Sequence, residues 1–317
     1  MNKRILPFAV AAMALTLTLA SCSDNETEVA TFADTYEQTL AQSDSASVQI
    51  VHSVEYYKSF EGGNALKKKI NNSIVKACFG EKYDGFSVEE ASDAVSDTLM
   101  ANYQREAGSV YDDAVAYAKE NGLDYDYNYS AAMTCNWYYT VQGKFAEGFM
   151  DLQTYQVYSE NYLGGAHGMH YLIPNIINLK TGGIVTENEL FKPGYVAPVT
   201  ELIKSKLALD RGVEDINESV MFSEGLVPNG HCGVSGAGVT WYYQPYEIAS
   251  YAEGIIEVTV FWIDLKPYLN PEFVKFYTVS SSARLPAIQT VSPAWNLKSG
   301  SGLVMNSEPL STLMTIQ

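Results

Sequence analysis

The sequence predicts an α+β protein: an antiparallel sheet packed against helices, with a strand-helix subdomain on its N-terminal side. Three observations carry this. Val48, Ile50, His52, Val54 and Tyr56 alternate with other residues, which is the period of a strand with one buried face. Leu66, Ile70, Ile74 and Ala77 then recur at helical spacing, and a second, longer helical pattern runs over 88–120. From Tyr125 the chain turns to aromatic and β-branched runs punctuated by glycine, a composition that favours strands and hairpins.

The chain has 317 residues and opens with Lys3-Arg4, an apolar run from Ile5 to Ala20, and Cys22. That is the layout of a bacterial secretion signal, so residues 1–21 are set aside from the fold. Leu19-Ala20-Ser21-Cys22 resembles the lipobox of bacterial lipoproteins, which implies a mature chain beginning at a lipid-modified Cys22. An ordinary secretory signal, or a short anchor with a chance cysteine, is the alternative. Each buried acyl methylene contributes about 0.8 kcal/mol, so a multi-chain anchor holds the membrane firmly without crossing it. Asp24 and Glu26 resemble the surface-export signals of Bacteroidetes lipoproteins. The expected location is therefore the outer membrane, lipid-anchored, on the periplasmic or cell-surface face. Residues 22–46 are polar, acidic and poor in large aliphatics, and are expected to form a flexible tether.

Net charge is -17 for the whole chain, and losing Lys3 and Arg4, the only charged residues before Cys22, leaves -19. Such a surface repels phosphate backbones and favours basic partners, which excludes nucleic-acid binding and leaves the lipid anchor as the membrane contact. Hydrophobic residues make up 47% of the chain, enough for a core. The cysteines after Cys22 are Cys78, Cys135 and Cys232, which match no zinc framework. Two of them could pair in an oxidising compartment, or all three could stay buried as thiols.

The N-terminal subdomain, 47–124, reads as the strand at 48–56, a helix capped by Asn64, and a helical region over 88–120 broken near Gly108 and ended by Asn121-Gly122. His52 shares the valine face and is read as a hydrogen-bonded sheet histidine. The C-terminal domain, 125–270, begins with two aromatic strands over 130–145 and 148–162. Leu152, Thr154, Gln156 and Tyr158 share one side of the second strand. A third strand follows from Met169 and closes at the turn Lys180 to Gly183, making a long hairpin with Pro174 at an edge or bulge. A short turn at 186–191, a helix over 198–209 and a glycine-marked loop to Gly238 come next. A last strand pair puts Ile256, Val258, Val260 and Trp262 on one face. Residues 271–317 form an extension of isolated apolar clusters.

The stretch "ENYLGGAHGMHY", Glu160 to Tyr171, holds two of the four histidines. A zinc reading joins His167 and His170 with His231 and Cys232. Against it, few carboxylates lie near to orient the imidazoles, and Met169 and His170 on a strand would point to opposite faces. No G-x-S-x-G elbow surrounds Ser235, and nothing beside Cys232 lowers its thiol pKa. The turn reading needs less: Gly164 and Gly165 adopt positive φ, Gly168 permits a second bend, and His167 fixes the loop. The loop is read as shape-giving first and ligand-facing second. No metal, cofactor or catalytic residue is assigned.

"YLGGAHGMHYLIPNIINLKTGGIVTENELFKPG" followed by "WYYQPYEIASYAEGIIEVTV" resembles the C-terminal extracytoplasmic domain of RsiV-type anti-sigma factors, which sense lysozyme. The region from "VQIVHSVEYYKSF" to "INNSIVKACFG" is similar to the N-terminal companion domain of PdaC-type peptidoglycan deacetylases and RsiV. The sigma-binding segment, the transmembrane helix and the deacetylase domain have no counterpart, so the resemblance implies the recognition module alone. It implies a non-enzymatic envelope lipoprotein that binds a basic lysozyme-like protein or a cell-wall glycan. The ligand-facing candidates are Tyr162, Gly164, Gly165, His167, Gly168, His170, Tyr246 and Tyr251. The competing class is a peptidoglycan- or glycan-acting enzyme or carbohydrate-binding module with a histidine metal site.

Overall fold

The computed structural model describes residues 26–123 and 125–274. The signal, Cys22 and nearly all of the C-terminal extension lie outside the described residues. Six strands form one sheet in chain order: β1 (Glu28–Leu40), β2 (Ser43–Ser59), β3 (Trp137–Phe149), β4 (Leu152–Tyr162), β5 (Met169–Asn178) and β6 (Ile184–Val185). All neighbours are antiparallel except β2 and β3, which run parallel with Val48 opposite Trp137 and Val54 opposite Gly143. Parallel neighbours require a long crossover. It is supplied by α1 (Asn64–Phe79), α2 (Val88–Glu120) and α3 (Tyr125–Thr134).

These helices cover one face of the sheet. Val48, Ile50, His52 and Val54 are fully buried beneath them, as the two-residue period of β2 requires. Ile70, Ile74 and Val75 of α1 pack with Val54, Tyr155 and Ile177, while Tyr103 and Ala107 of α2 pack with Leu40, Ile50 and Trp137. The Ser87 hydroxyl accepts from the Glu90 amide and the Glu90 carboxylate from the Ser87 amide, a reciprocal cap that fixes where α2 begins.

The opposite face is covered only in part. Two helices, α4 (Glu187–Leu190) and α5 (Val196–Arg211), lead to a second antiparallel sheet of β7 (Cys232–Val234), β8 (Gly238–Tyr243) and β9 (Ile256–Phe261), followed by α6 (Trp262–Leu265). Leu152 and Ile176 of the large sheet join Phe191, Ile203, Trp241 and Val258 in this second core. The seam is tight. The Thr154 hydroxyl donates to the Val234 carbonyl and accepts from its amide, both at 2.7 Å. A Cβ on Gly233 would come within 2.7 Å of the Thr154 methyl, so β7 can approach only with glycine there.

At the centre of this second core sits a charged group. Glu187 is only 6% exposed, and its carboxylate accepts from the Tyr195 hydroxyl, the Trp241 indole N–H at 2.8 Å and the Gly230 amide at 3.1 Å. Three donors from three segments replace the water it has lost.

Several expectations are corrected. The acidic segment expected as a tether forms β1 from Glu28, because Phe32, Tyr36 and Leu40 turn inward while Glu28, Asp34 and Glu37 stay exposed. Helix α2 runs unbroken through Gly108, whose missing side chain lets the Gln42 amide pack against the helix. Residues 130–134, expected as strand, end α3, and β3 starts at Trp137. The cap of α1 is Gly63 rather than Asn64. The sheet runs without interruption through the boundary expected at 124, since β2 and β3 share one ladder. Of the two cysteine readings the unpaired one stands, since Cys78, Cys135 and Cys232 are free thiols, and Pro174 lies at an edge as expected, because β6 pairs only Ile176 and Ile177 of β5.

His52 is wholly buried, its Nδ1 2.7 Å from the Ser92 hydroxyl and its Nε2 without a partner. Burial lowers its pKa to about 4 from an ordinary 6.5. The unfolded chain therefore binds more protons between those values, and stability is full above the unfolded pKa and lost as pH falls through 6.5 towards 4. The unfolding free energy from urea titration is expected to drop by about 2 kcal/mol between pH 7 and pH 5. His52→Gln should remove that slope; an unchanged slope would assign it elsewhere.

Candidate functional site

The β4–β5 hairpin carries the site. The β3–β4 register sets Tyr138 opposite Tyr162 and Thr140 opposite Glu160, and the β4–β5 register sets Glu160 opposite His170. Their neighbours Tyr139, Val141 and Val157 pack into the helix-side cores. Alternation therefore places Tyr138, Tyr158, Glu160, Tyr162 and His170 on the other face. The second sheet covers that face at the Leu152–Gln156 end, where Gln156 donates to the Tyr242 hydroxyl. It leaves the Tyr158–Tyr162 end half-exposed.

The border of the site comes from the connection between β8 and β9. Gln244 lays its side-chain amide along β5, donating to the Leu172 carbonyl and accepting from its N–H, both at 3.0 Å. The amide thus takes the place of a missing strand on an open edge. Two residues on, Tyr246 stands at φ 69, a left-handed conformation disfavoured for any residue but glycine, and its ring is 50% exposed. Tyr251 closes the corner: its hydroxyl donates to the Gly168 carbonyl at 2.9 Å and lies 3.2 Å from His170 Nδ1.

Around this corner the expected residues meet. The His167 ring lies 4.3 Å from that of Tyr251, its Nε2 3.4 Å from the Tyr246 hydroxyl and its Nδ1 2.9 Å from the Gly168 carbonyl. Gly164 has φ +81, and a Cβ there would fall 2.1 Å from the Thr134 carbonyl oxygen. Gly168 is held to glycine by space: a Cβ would lie 2.8 Å from the Asn161 carbonyl oxygen. Gly165, expected to share the positive φ, lies outside that region and in open space. Tyr162 stacks on Tyr138 at 6.1 Å, one strand from the histidine corner.

Sequence reasoning missed the centre of the arrangement. The Glu160 carboxylate accepts from the Tyr138 hydroxyl at 2.7 Å on one oxygen and from the Tyr158 hydroxyl at 2.8 Å on the other. Burial first, and then this shared acceptor, raises both tyrosine pKa values, so both remain protonated donors. Tyr251 is raised by burial and then by the charge of Glu160. The available signal was the run Tyr158, Glu160, Tyr162 at period two.

The zinc reading does not assemble. Among the described residues no group of three or more His, Cys, Asp or Glu side chains could hold a metal ion. His231 precedes β7 with Nδ1 buried and unpartnered, and no hydrogen bond or ring contact joins it to His167 or His170. Burial, with Glu187 nearby, pushes the Cys232 thiol well above its ordinary value, so it is no thiolate nucleophile. Among the described residues no helix is long and apolar enough to cross a membrane.

Residues 188–262 match the family model described as Protein of unknown function (DUF3298). No curated protein matches this chain. Among solved structures, a DUF3298 family member from Bacteroides fragilis NCTC 9343 superposes with TM-score 0.67 at 18% identity, covering 80% of this chain and 99% of its own. A DUF3298 family protein from Pseudomonas aeruginosa PAO1 gives TM-score 0.52 at 13% identity, covering 78% and 96%. The fold is therefore shared across these proteins.

Proposed function

We propose that this chain, with its DUF3298 domain, is a non-enzymatic envelope lipoprotein anchored at Cys22 in the outer membrane. In this reading it binds a basic, lysozyme-like protein through the open end of the large sheet. The observation that carries the reading is Glu160: a half-exposed carboxylate, oriented by two tyrosine hydroxyls and paired with no lysine or arginine among the described residues. A carboxylate held in this way favours a cationic partner. The net charge of -17 extends the same preference over the whole surface, and the RsiV-like motifs support lysozyme as the partner. A cell-wall glycan is the second reading, favoured by the stacked rings of Tyr138 and Tyr162.

Titrating lysozyme against the chain from Ser23 onward at low and at physiological salt tests the reading. Association is expected at low salt and should weaken roughly tenfold at physiological salt, as charge-steered contacts do. No association at low salt removes this partner. Binding of soluble peptidoglycan fragments that ignores salt would move the assignment to the glycan.

A further inference from the structure

We infer that Glu160 is the seat of one arginine side chain of the partner, held as a planar fork beside the Tyr138 and Tyr158 rings. This rests on the proposed function and names the chemistry of the same site. A carboxylate offers about four acceptor positions, two on each oxygen. Tyr138 occupies one on the first oxygen and Tyr158 one on the second. One position therefore remains on each oxygen, and a guanidinium presents two parallel N–H groups to such a pair.

The two hydroxyls are neutral donors, so they orient the carboxylate and leave its charge intact. Nothing cationic among the described residues cancels it: no lysine or arginine pairs with Glu160. Thr140 stands opposite on β3, and His170 on β5 has its Nδ1 turned to Tyr251. The flanking rings suit a flat cation. Tyr138 and Tyr162 stack at 6.1 Å with 22° between planes, and Tyr158 and His170 stack at 6.4 Å with 25°. Aromatic faces attract guanidinium by stacking as well as charge, which a compact, strongly hydrated ammonium exploits less. Glu187 makes the contrast within the same protein, since its carboxylate faces three donors and is buried beyond any partner's reach.

The test uses N-acetyl-arginine amide, with its lysine and citrulline counterparts, titrated against the chain from Ser23 onward while the Glu160 carboxyl carbon is followed by NMR. The arginine probe should shift that resonance saturably, the lysine probe should bind several-fold more weakly, and uncharged citrulline should leave it unmoved. Glu160→Gln should lose about tenfold in arginine affinity, the worth of one charge-assisted fork. An unchanged thermal midpoint for that variant shows that the loss is local. Equal binding of arginine and citrulline, of arginine and lysine, or of wild type and Glu160→Gln would overturn the seat. Lysozyme separates the two claims. If it fails to bind while the arginine probe depends on Glu160, the partner falls and the seat stands. If it binds equally well to Glu160→Gln, the seat falls and the partner stands.

Discussion

Glu187→Ala is expected to lower the unfolding free energy by about 4 kcal/mol, which for a body of this size moves the thermal midpoint down by roughly 10 °C. The reason is what it leaves behind. The Trp241 indole N–H and the Gly230 amide lose their acceptor, and the Tyr195 hydroxyl is left with only Asn188 Oδ1, at 3.1 Å. Trp241 is fully buried, so its N–H has no water to turn to. Each stranded donor costs about 1–3 kcal/mol, with some relief as the cavity relaxes. Glu187→Gln keeps one acceptor oxygen but sets an NH2 against the remaining donors, and should cost about half as much. Urea midpoints for both variants check this against Glu201→Ala on the exposed side of α5. If Glu187→Ala falls no further than that surface control, the carboxylate does not hold the second core together.

Gly164→Ala should destabilise by about 2–4 kcal/mol and shift the loop 163–168 away from α3. Two independent costs act at this position. Alanine is strained at φ +81, and its methyl would stand 2.1 Å from the Thr134 carbonyl oxygen, a backbone atom that cannot rotate aside. Gly165→Ala is the matched control. Its added carbon meets nothing closer than 4.0 Å and needs no positive φ, so its effect should stay within about 0.5 kcal/mol. Ring resonances of His167 and His170 should move in the first variant and stay in the second. Equal behaviour of the two variants would show that the loop is not pinned at Gly164.

Strand β2, helix α1 and the β4–β5 hairpin were legible because their periods are clear. Val48, Ile50, His52 and Val54 keep the two-residue period of β2 despite the apolar Val51 between them, and 152–162 and 169–178 flank a glycine-rich connection. Strand β1 was hidden because an edge strand buries one face thinly. Between Phe32, Tyr36 and Leu40 lie acids and threonines that average out to the composition of a linker. Gly108 signals a break only when the helix is read alone, and the neighbour that makes glycine useful there, Gln42, is distant in sequence. The site was half visible. Glycine spacing announced the turn and the histidines announced a polar corner. The pairing of Glu160 with Tyr138 depends on the β3–β4 register, which no local pattern encodes.

The parallel ladder between β2 and β3 sets an order on folding. Val48 finds its neighbour Trp137 only across the whole helical crossover, so the β1–β2 hairpin waits with one side unzipped until that long-range contact closes. The helices can meanwhile shelter Ile50 and Val54 from water but cannot satisfy the bare amides and carbonyls along the seam. A crowded solution offers those groups the corresponding strand of another unfolded copy. Refolding at high concentration should therefore yield interlocked dimers that have exchanged their N-terminal hairpins, each half carrying an intact native ladder.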